Sequence, residues 1–273
     1  SSAEANTGVG TGVLAALTSG DNNTAVGFSS LLTNTTGSNN TAVGRCALKL
    51  TTTGIINTAM GTLTMCANTT GACNVAIGSN ALRTNQTSSF NTAVGMNSLR
   101  TNTAQNNTAI GFSALCANTT AANNTAVGSC ALTDNTSAAN NIAVGFCALH
   151  KNTTGADNTS VGTAALSENL TGAGNTAVGR SALQNSTTDN NTAFGKEALN
   201  KTTSGDANTA VGTNAGACNT TGKNNIAIGT NAFPTNTTGC CNVAIGTFAL
   251  QSNTTANNNT AVGQGAMNTN TTG

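Results

Sequence analysis

This chain has no tryptophan, no tyrosine and a single proline, and only 6% of its residues are charged. Ordinary domains carry about 25% charged residues. Nine Lys and Arg stand against eight Asp and Glu, a net charge of +1, which excludes an electrostatic grip on nucleic acid or an anionic membrane. No apolar run approaches the roughly 20 residues that span a bilayer, so membrane insertion is not expected. The single histidine, His150, shares its place in the sequence pattern with Lys49, Arg83, Arg100 and Gln184. That is a solvated row, and a lone imidazole carries no acid–base argument. The pattern contains no cysteine–histidine cluster at zinc spacing, no calcium-binding Gly-Gly-x-Gly-x-Asp run, no phosphate loop and no nucleophile elbow. No catalytic residue, cofactor site or metal site is expected, and the chain does not read as an enzyme.

What the chain does have is a short motif, Asn23-Thr24-Ala25-Val26-Gly27, that returns along its whole length. Its closing glycine falls at Gly10, Gly27, Gly44, Gly61, Gly78, Gly95, Gly111, Gly128, Gly145, Gly162, Gly179, Gly195, Gly212, Gly229, Gly246 and Gly263. Thirteen of the fifteen intervals are 17 residues; Gly95–Gly111 and Gly179–Gly195 are 16. Chains rich in Asn and Thr and poor in charge are often disordered, but disorder gives no reason to hold one phase through sixteen copies. A fixed short period marks a repeat architecture. Seventeen residues are too few for a helical pair and enough for one coil of a β-solenoid. The expected fold is all-β, a parallel β-solenoid of about sixteen 17-residue coils, forming a single array over residues 1–273. With coils about 4.8 Å apart, the rod would be about 75 Å long.

Positions are counted here from the closing glycine. Position −1 carries Val26, Val43, Met60, Ile77, Val94, Ile110, Val127 and, once, Phe194; position +4 carries Leu31, Leu48, Met65, Leu82, Leu99, Leu115 and Leu132. Both are expected to form the core. Position −3 is mostly Thr, with Val75, Ile142, Ile226 and Val243 as exchanges; β-branched exchange suits an inward strand position. Position +3 stays small. Each coil is expected to hold two short strands, Asn-Thr-Ala-Val and x-x-Ala-Leu-x, with the glycine as one corner and Asn-Thr-Thr-Gly as the second turn. The two one-residue deletions are expected in that second turn.

Position −4 is asparagine in every copy: Asn6, Asn23, Asn40, Asn57, Asn74, Asn91, Asn107, Asn124, Asn141, Asn158, Asn175, Asn191, Asn208, Asn225, Asn242 and Asn259. In a parallel stack these amides lie above one another and hydrogen-bond along the array as a structural ladder.

Asn-x-Ser/Thr occurs twenty times. One set lies in the second turn, at Asn34, Asn68, Asn85, Asn118, Asn135, Asn152, Asn169, Asn219, Asn236, Asn253 and Asn270, and makes the candidate N-glycosylation sites. Another precedes the ladder residue, at Asn22, Asn39, Asn106, Asn123, Asn190 and Asn258. The ladder asparagines avoid the motif except at Asn158. Of the nine cysteines, Cys66 and Cys73 flank one turn, Cys130 and Cys147 share a place in adjacent coils, and Cys218 could meet Cys240 or Cys241. Disulfides in an oxidising compartment stand beside small inert thiols as readings. The threonine row raises ice binding too, but a phase that accepts Val75 and Ile142 is expected to be buried.

Asn-Thr-Ala-Val-Gly-x-x-Ala-Leu, at residues 124–132 and 175–183 and nearly so at 23–31, resembles the head repeats of trimeric autotransporter adhesins of the YadA type. It is also similar to the Asn-Thr-Ala-x-Gly arrays of long bacterial surface and tail-fibre-like proteins. The resemblance covers essentially the whole chain. It implies a left-handed parallel β-roll, commonly trimeric, displayed at a cell surface and used for attachment; the family's repeats are usually shorter than these. The expected role is therefore an extracellular structural rod or filament that associates with itself, end to end or as a homotrimer, with covalent glycans. A trimeric adhesin head stands second and an ice-binding protein third.

Overall fold

The computed structural model describes residues 3–271. Their regular structure is sixteen three-residue strands, one per repeat, from β1 (Thr7–Val9) to β16 (Thr260–Val262), with no helix. The chain divides into two compact units, Ser1–Ser137 and Ala138–Gly273. The first holds β1 to β8 (Thr125–Val127) and the second β9 (Ile142–Val144) to β16. Within each unit every strand pairs in parallel with the strand of the next repeat. The fold is a parallel β-solenoid.

Register follows the repeat. Thr24 faces Thr41, Ala25 faces Ala42 and Val26 faces Val43. Where the interval is one residue short the strands still align, Thr92 with Thr108 and Thr176 with Thr192. The deletion is absorbed in the second turn, as expected. Asn34 Nδ2 donates to the carbonyl three residues on, at Gly37 (2.9 Å); in the shortened coil Asn102 Nδ2 reaches only two residues on, to Ala104 (2.6 Å).

The strand ends at the closing glycine because the chain turns there with φ between +127° and +138°. The stretch that follows is not the second strand the pattern suggests. It stacks coil on coil, with Leu31 N donating to Ala47 O (3.1 Å) and Ser29 N to Thr11 O (2.9 Å). Its backbone alternates, though: positions +2 and +4 lie in the left-handed region, as Ser29 (φ 55°) and Leu31 (φ 47°) do, and so does position −5. Left-handed residues break the extended geometry a strand needs. Each costs an L-residue about 1–2 kcal/mol, a cost no isolated coil could carry and one offset here by stacking. Ala164 at position +2 (φ 55°) exposes this cost most simply. Ala164→Gly is expected to raise stability by about 0.5–1 kcal/mol, the relieved strain less glycine's extra unfolded-state entropy, read as a higher thermal midpoint.

The core differs from the sequence reading in one parity. The +4 row is buried as expected: Leu31, Leu48, Met65, Leu82, Leu99 and Leu115 are fully enclosed. Gly216 breaks that row, and Leu199 Cδ2 of the coil before lies 2.9 Å from where its Cβ would stand. The −1 row is not core. Met60, Ile77, Ile110, Phe194, Val211 and Ile228 are exposed, and so are Val75, Ile142 and Ile226 at −3. The inward strand residue is position −2, where Ala25, Ala42, Ala59, Ala76, Ala93 and Ala109 are all at 0% exposure. Strand side chains alternate faces, so shifting the inward residue by one place exchanges the two faces entirely. The coil closes over two rows of asparagine, one of leucine and two of small residues, and the space left at the strand admits only a small residue, alanine in most coils and Ser160 in one.

Candidate functional site

The −4 ladder is present and buried. Asn57 shows its pattern. Its backbone N–H and Nδ2 both donate to Asn40 Oδ1 (3.0 and 3.1 Å), Nδ2 also donates to Gly71 O (2.8 Å), and its own Oδ1 accepts from Asn74 N and Nδ2 (3.1 Å each). The backbone-to-amide link runs from Asn6 to Asn124 in the first unit and from Asn141 to Asn259 in the second. Within each unit, every ladder asparagine after the first thus binds the coil before it, and most also tie the two ends of their own coil together.

A second ladder, not anticipated, occupies position +7. Asn34, Asn68, Asn85, Asn118, Asn135, Asn152, Asn169, Asn219, Asn236 and Asn253 are buried; Asn270 is half-buried. Their amides bond along the stack, as from Asn85 to Asn68 (3.2 Å), Asn169 to Asn152 (2.9 Å) and Asn236 to Asn219 (2.7 Å). They also bond across the turn to the +10 carbonyl, which accepts from both ladders. Gly172 O takes Asn158 Nδ2 (2.8 Å) and Asn169 Nδ2 (2.9 Å); Gly239 O takes Asn225 Nδ2 (2.8 Å) and Asn236 Nδ2 (3.0 Å). Ten of the eleven second-turn glycosylation candidates therefore have their amide nitrogen inside the folded coil. The reason is local: Asn-Thr-Thr-Gly reads as a surface turn, but its asparagine is the group that satisfies the turn's buried carbonyl. The row is interrupted at Thr51, Ser186 and Thr202, and the hydroxyls of Ser186 and Thr202 are buried without a partner.

The suggested pairings Cys66–Cys73 and Cys218–Cys241 are not formed; these four residues are thiols. The second turn, with Asn68 and Gly71 buried, lies between Cys66 and Cys73 in the chain, and Cys66 Sγ instead approaches Arg83 O (3.8 Å). Cys130 and Cys147 fall one in each unit. Burial pushes the Cys116 thiol above its ordinary value, against the opposing pull of Arg100, which lowers its nucleophilicity at neutral pH.

The outer face of the strands is the remaining site. Positions −3 and −1 of all sixteen repeats hold Thr, Val, Ile, Met or Phe, with no charged residue among them. The threonine row expected to be buried therefore faces outward. The face is most apolar in two windows. In the first unit, Met60, Val75 and Ile77 lie on it in consecutive coils, and Ile56 (52% exposed) and Phe90 (62% exposed) at −5 and Met96 at +1 are exposed beside the strands. In the second, Val211, Ile226, Ile228 and Ile245 do so. Charges sit elsewhere, as exposed pairs between neighbouring coils: Lys151 with Glu168, Arg180 with Glu197, and Lys223 with Asp206 (2.9 Å). The hydrogen bond from Lys223 holds the Asp206 carboxyl below its usual value and raises the Lys223 ammonium. Such exposed pairs add little to stability.

Among the described residues there is no pocket and no cluster of three or more His, Cys, Asp or Glu side chains that could hold a metal ion. No helix is long and apolar enough to cross a membrane. No protein-family model and no curated protein matches this chain.

Proposed function

We propose that this protein is a non-enzymatic, extracellular structural rod that associates with further copies of itself through the outer strand face. The observation that carries the reading is that face: two in-register rows, free of charge, with large aliphatic and aromatic side chains left in water. Eight strands of three residues, at about 3.3 Å per residue and 4.8 Å per coil, present about 400 Å² in each unit. The largest apolar patch of a typical monomer is about 300–600 Å² and is often functional, and each unit's strand face falls in that range without a charge to break it. A second copy is the occupant that fits best, because the same repeat length gives it the same spacing and rows that match along their whole length.

Light scattering on the purified protein tests this. The expected particle is a multiple of the 26.7 kDa chain; a monomer at high concentration would sink the reading. Ile77→Lys with Ile228→Lys, both on the exposed face, is expected to weaken association at least tenfold. Burying an isoleucine contributes about 2 kcal/mol, and 1.4 kcal/mol is a factor of ten. The circular-dichroism melt of the dissociated chain should be unchanged. A discrete trimer would favour the adhesin-head form of this proposal.

The outward threonine row supports a second reading, ice binding, because regularly spaced hydroxyls and methyls on a flat sheet can order water. Met60 and Phe194 interrupt the flatness of the adjacent row, which favours a protein partner. Thermal hysteresis by the dissociated variant at low concentration would reverse that preference.

A further inference from the structure

We propose that Asn22, Asn39, Asn106, Asn123, Asn190 and Asn258 are N-glycan acceptors, and that the sugars they carry bracket the two apolar windows. This inference rests on the extracellular reading above, which supplies the glycosylating pathway. The six occupy position −5, one residue before the ladder. Each is exposed, and each sits at a left-handed corner, with φ between 56° and 63°. The recognition tripeptide there is Asn-Asn-Thr, and its threonine is position −3, on the outer face. Both groups a transferase must reach, the amide and the hydroxyl two residues on, are thus outside, while the residue between them is buried in the ladder. The second-turn tripeptides do the opposite: Asn34 is enclosed while Thr36 is exposed. Asn34 is at 0% exposure and its Nδ2 donates to the Gly37 carbonyl (2.9 Å), so a chain carrying a sugar on that nitrogen could not close the coil around it.

Placement along the array gives the inference its consequence. A −5 acceptor needs threonine at −3, so coils that put Val75, Ile142, Ile226 or Val243 there cannot carry one. The first window lies between Asn39 and Asn106 and presents Ile56, Cys73 and Phe90 at −5; the second lies between Asn190 and Asn258 and presents Ala207, Asn224 and Cys241. Bulky hydrophilic groups on either side would confine contact between copies to the windows and set their alignment. In the transfer itself, a bond forms between asparagine Nδ2 and C1 of the sugar. The amide loses one proton, and the phosphate carrier of an activated sugar donor departs; a separate transferase provides the catalysis.

The test uses the full chain, made unglycosylated and folded, with a soluble transferase that moves glucose from a nucleotide sugar to Asn-x-Ser/Thr. Peptide mapping is expected to find the hexose on the six −5 asparagines and on none of the ten buried +7 residues, which become substrates after denaturation. Modification of the +7 set in the folded chain, or refusal of the six while denatured chain is modified throughout, would overturn the assignment. Secretion of the chain through a glycosylating pathway, followed by the same mapping, gives the second arm. Glycans on the six, lost together when the −3 threonines of those coils are replaced by Val, the residue that Val75 and Val243 already place there, support the proposal. A secreted, folded chain bare at all six defeats it. The extracellular reading fails in a different way, by fractionation of the source cells that finds the native protein inside.

Discussion

Gly78→Ala is expected to destabilise the first unit by about 4 kcal/mol. Two independent costs meet at this residue. Its φ of +128° lies in a region L-residues rarely adopt, and holding a side chain there costs about 1–3 kcal/mol. A Cβ would also stand 2.7 Å from both the carbonyl carbon and the oxygen of Gly95, the same residue one coil on, and 3.1 Å from Met96 N. These are backbone atoms held by the next coil's own stacking, so relief requires the coils to part, at about 1–3 kcal/mol more. Against total stabilities of about 5–15 kcal/mol, the loss should bring the urea midpoint down sharply, and amide exchange should locate it in the coils on either side of Gly78. Gly174→Asn is the control. That glycine sits at position −5 with φ +68°, and the nearest atom to its missing Cβ is the movable Asn190 Oδ1 (2.8 Å). Asparagine already holds this conformation at Asn22 and Asn39, so the change should fall within about 0.5 kcal/mol. Equal effects from the two substitutions would show that stacking does not fix the closing glycine.

The contrast between these two glycines also shows where the sequence is readable. Period and parallel stacking follow from the strict return of one glycine, and the Leu31–Leu48 row is legible because it is both periodic and apolar. The −4 ladder is legible because asparagine is never replaced there. The strand's inward face is misread for a physical reason. Val26 and Ile77 look like core by hydrophobicity, but a coil closed by two asparagine rows leaves too little width for them. The signal was present at position −2, which is Ala in fourteen of sixteen copies and otherwise Gly8 or Ser160. Constancy of a small residue, rather than size, marks the buried side of so thin a wall. The second ladder leaves no such mark. Asn-Thr-Thr-Gly is equally good chemistry for a surface turn, and what buries its asparagine is a carbonyl shared with a residue eleven places earlier. Left-handed corners are visible only where glycine occasionally fills them, at Gly12, Gly174, Gly216 and Gly265.

The ladder carries the other large effect. Asn57→Asp is expected to cost about 4 kcal/mol at pH 7, although the two side chains have nearly the same shape. The amide it removes donates to Asn40 Oδ1 (3.1 Å) and Gly71 O (2.8 Å); a carboxylate oxygen in its place would face two acceptors. Asn57 is at 0% exposure, so the charge would have neither water nor a cation. Stranding a buried charge costs about 3–5 kcal/mol. The introduced carboxyl escapes by keeping its proton, which raises its folded pKa above the unfolded value of about 3.9. Below that value the carboxyl is protonated in both states, and the variant should trail the wild type by only about 1 kcal/mol, one lost hydrogen bond. As pH rises past about 4, the unfolded chain ionises while the folded chain still holds the proton. Stability relative to wild type then falls by about 1.4 kcal/mol per pH unit until the folded pKa is reached. Unfolding both proteins at pH 3, 5 and 7 reads the slope directly. Asn39→Asp, on the exposed corner one residue before the Asn40 ladder amide, should show no such trend. A pH-independent loss at Asn57 would mean that packing, and not the row of amide hydrogen bonds, is what the ladder contributes.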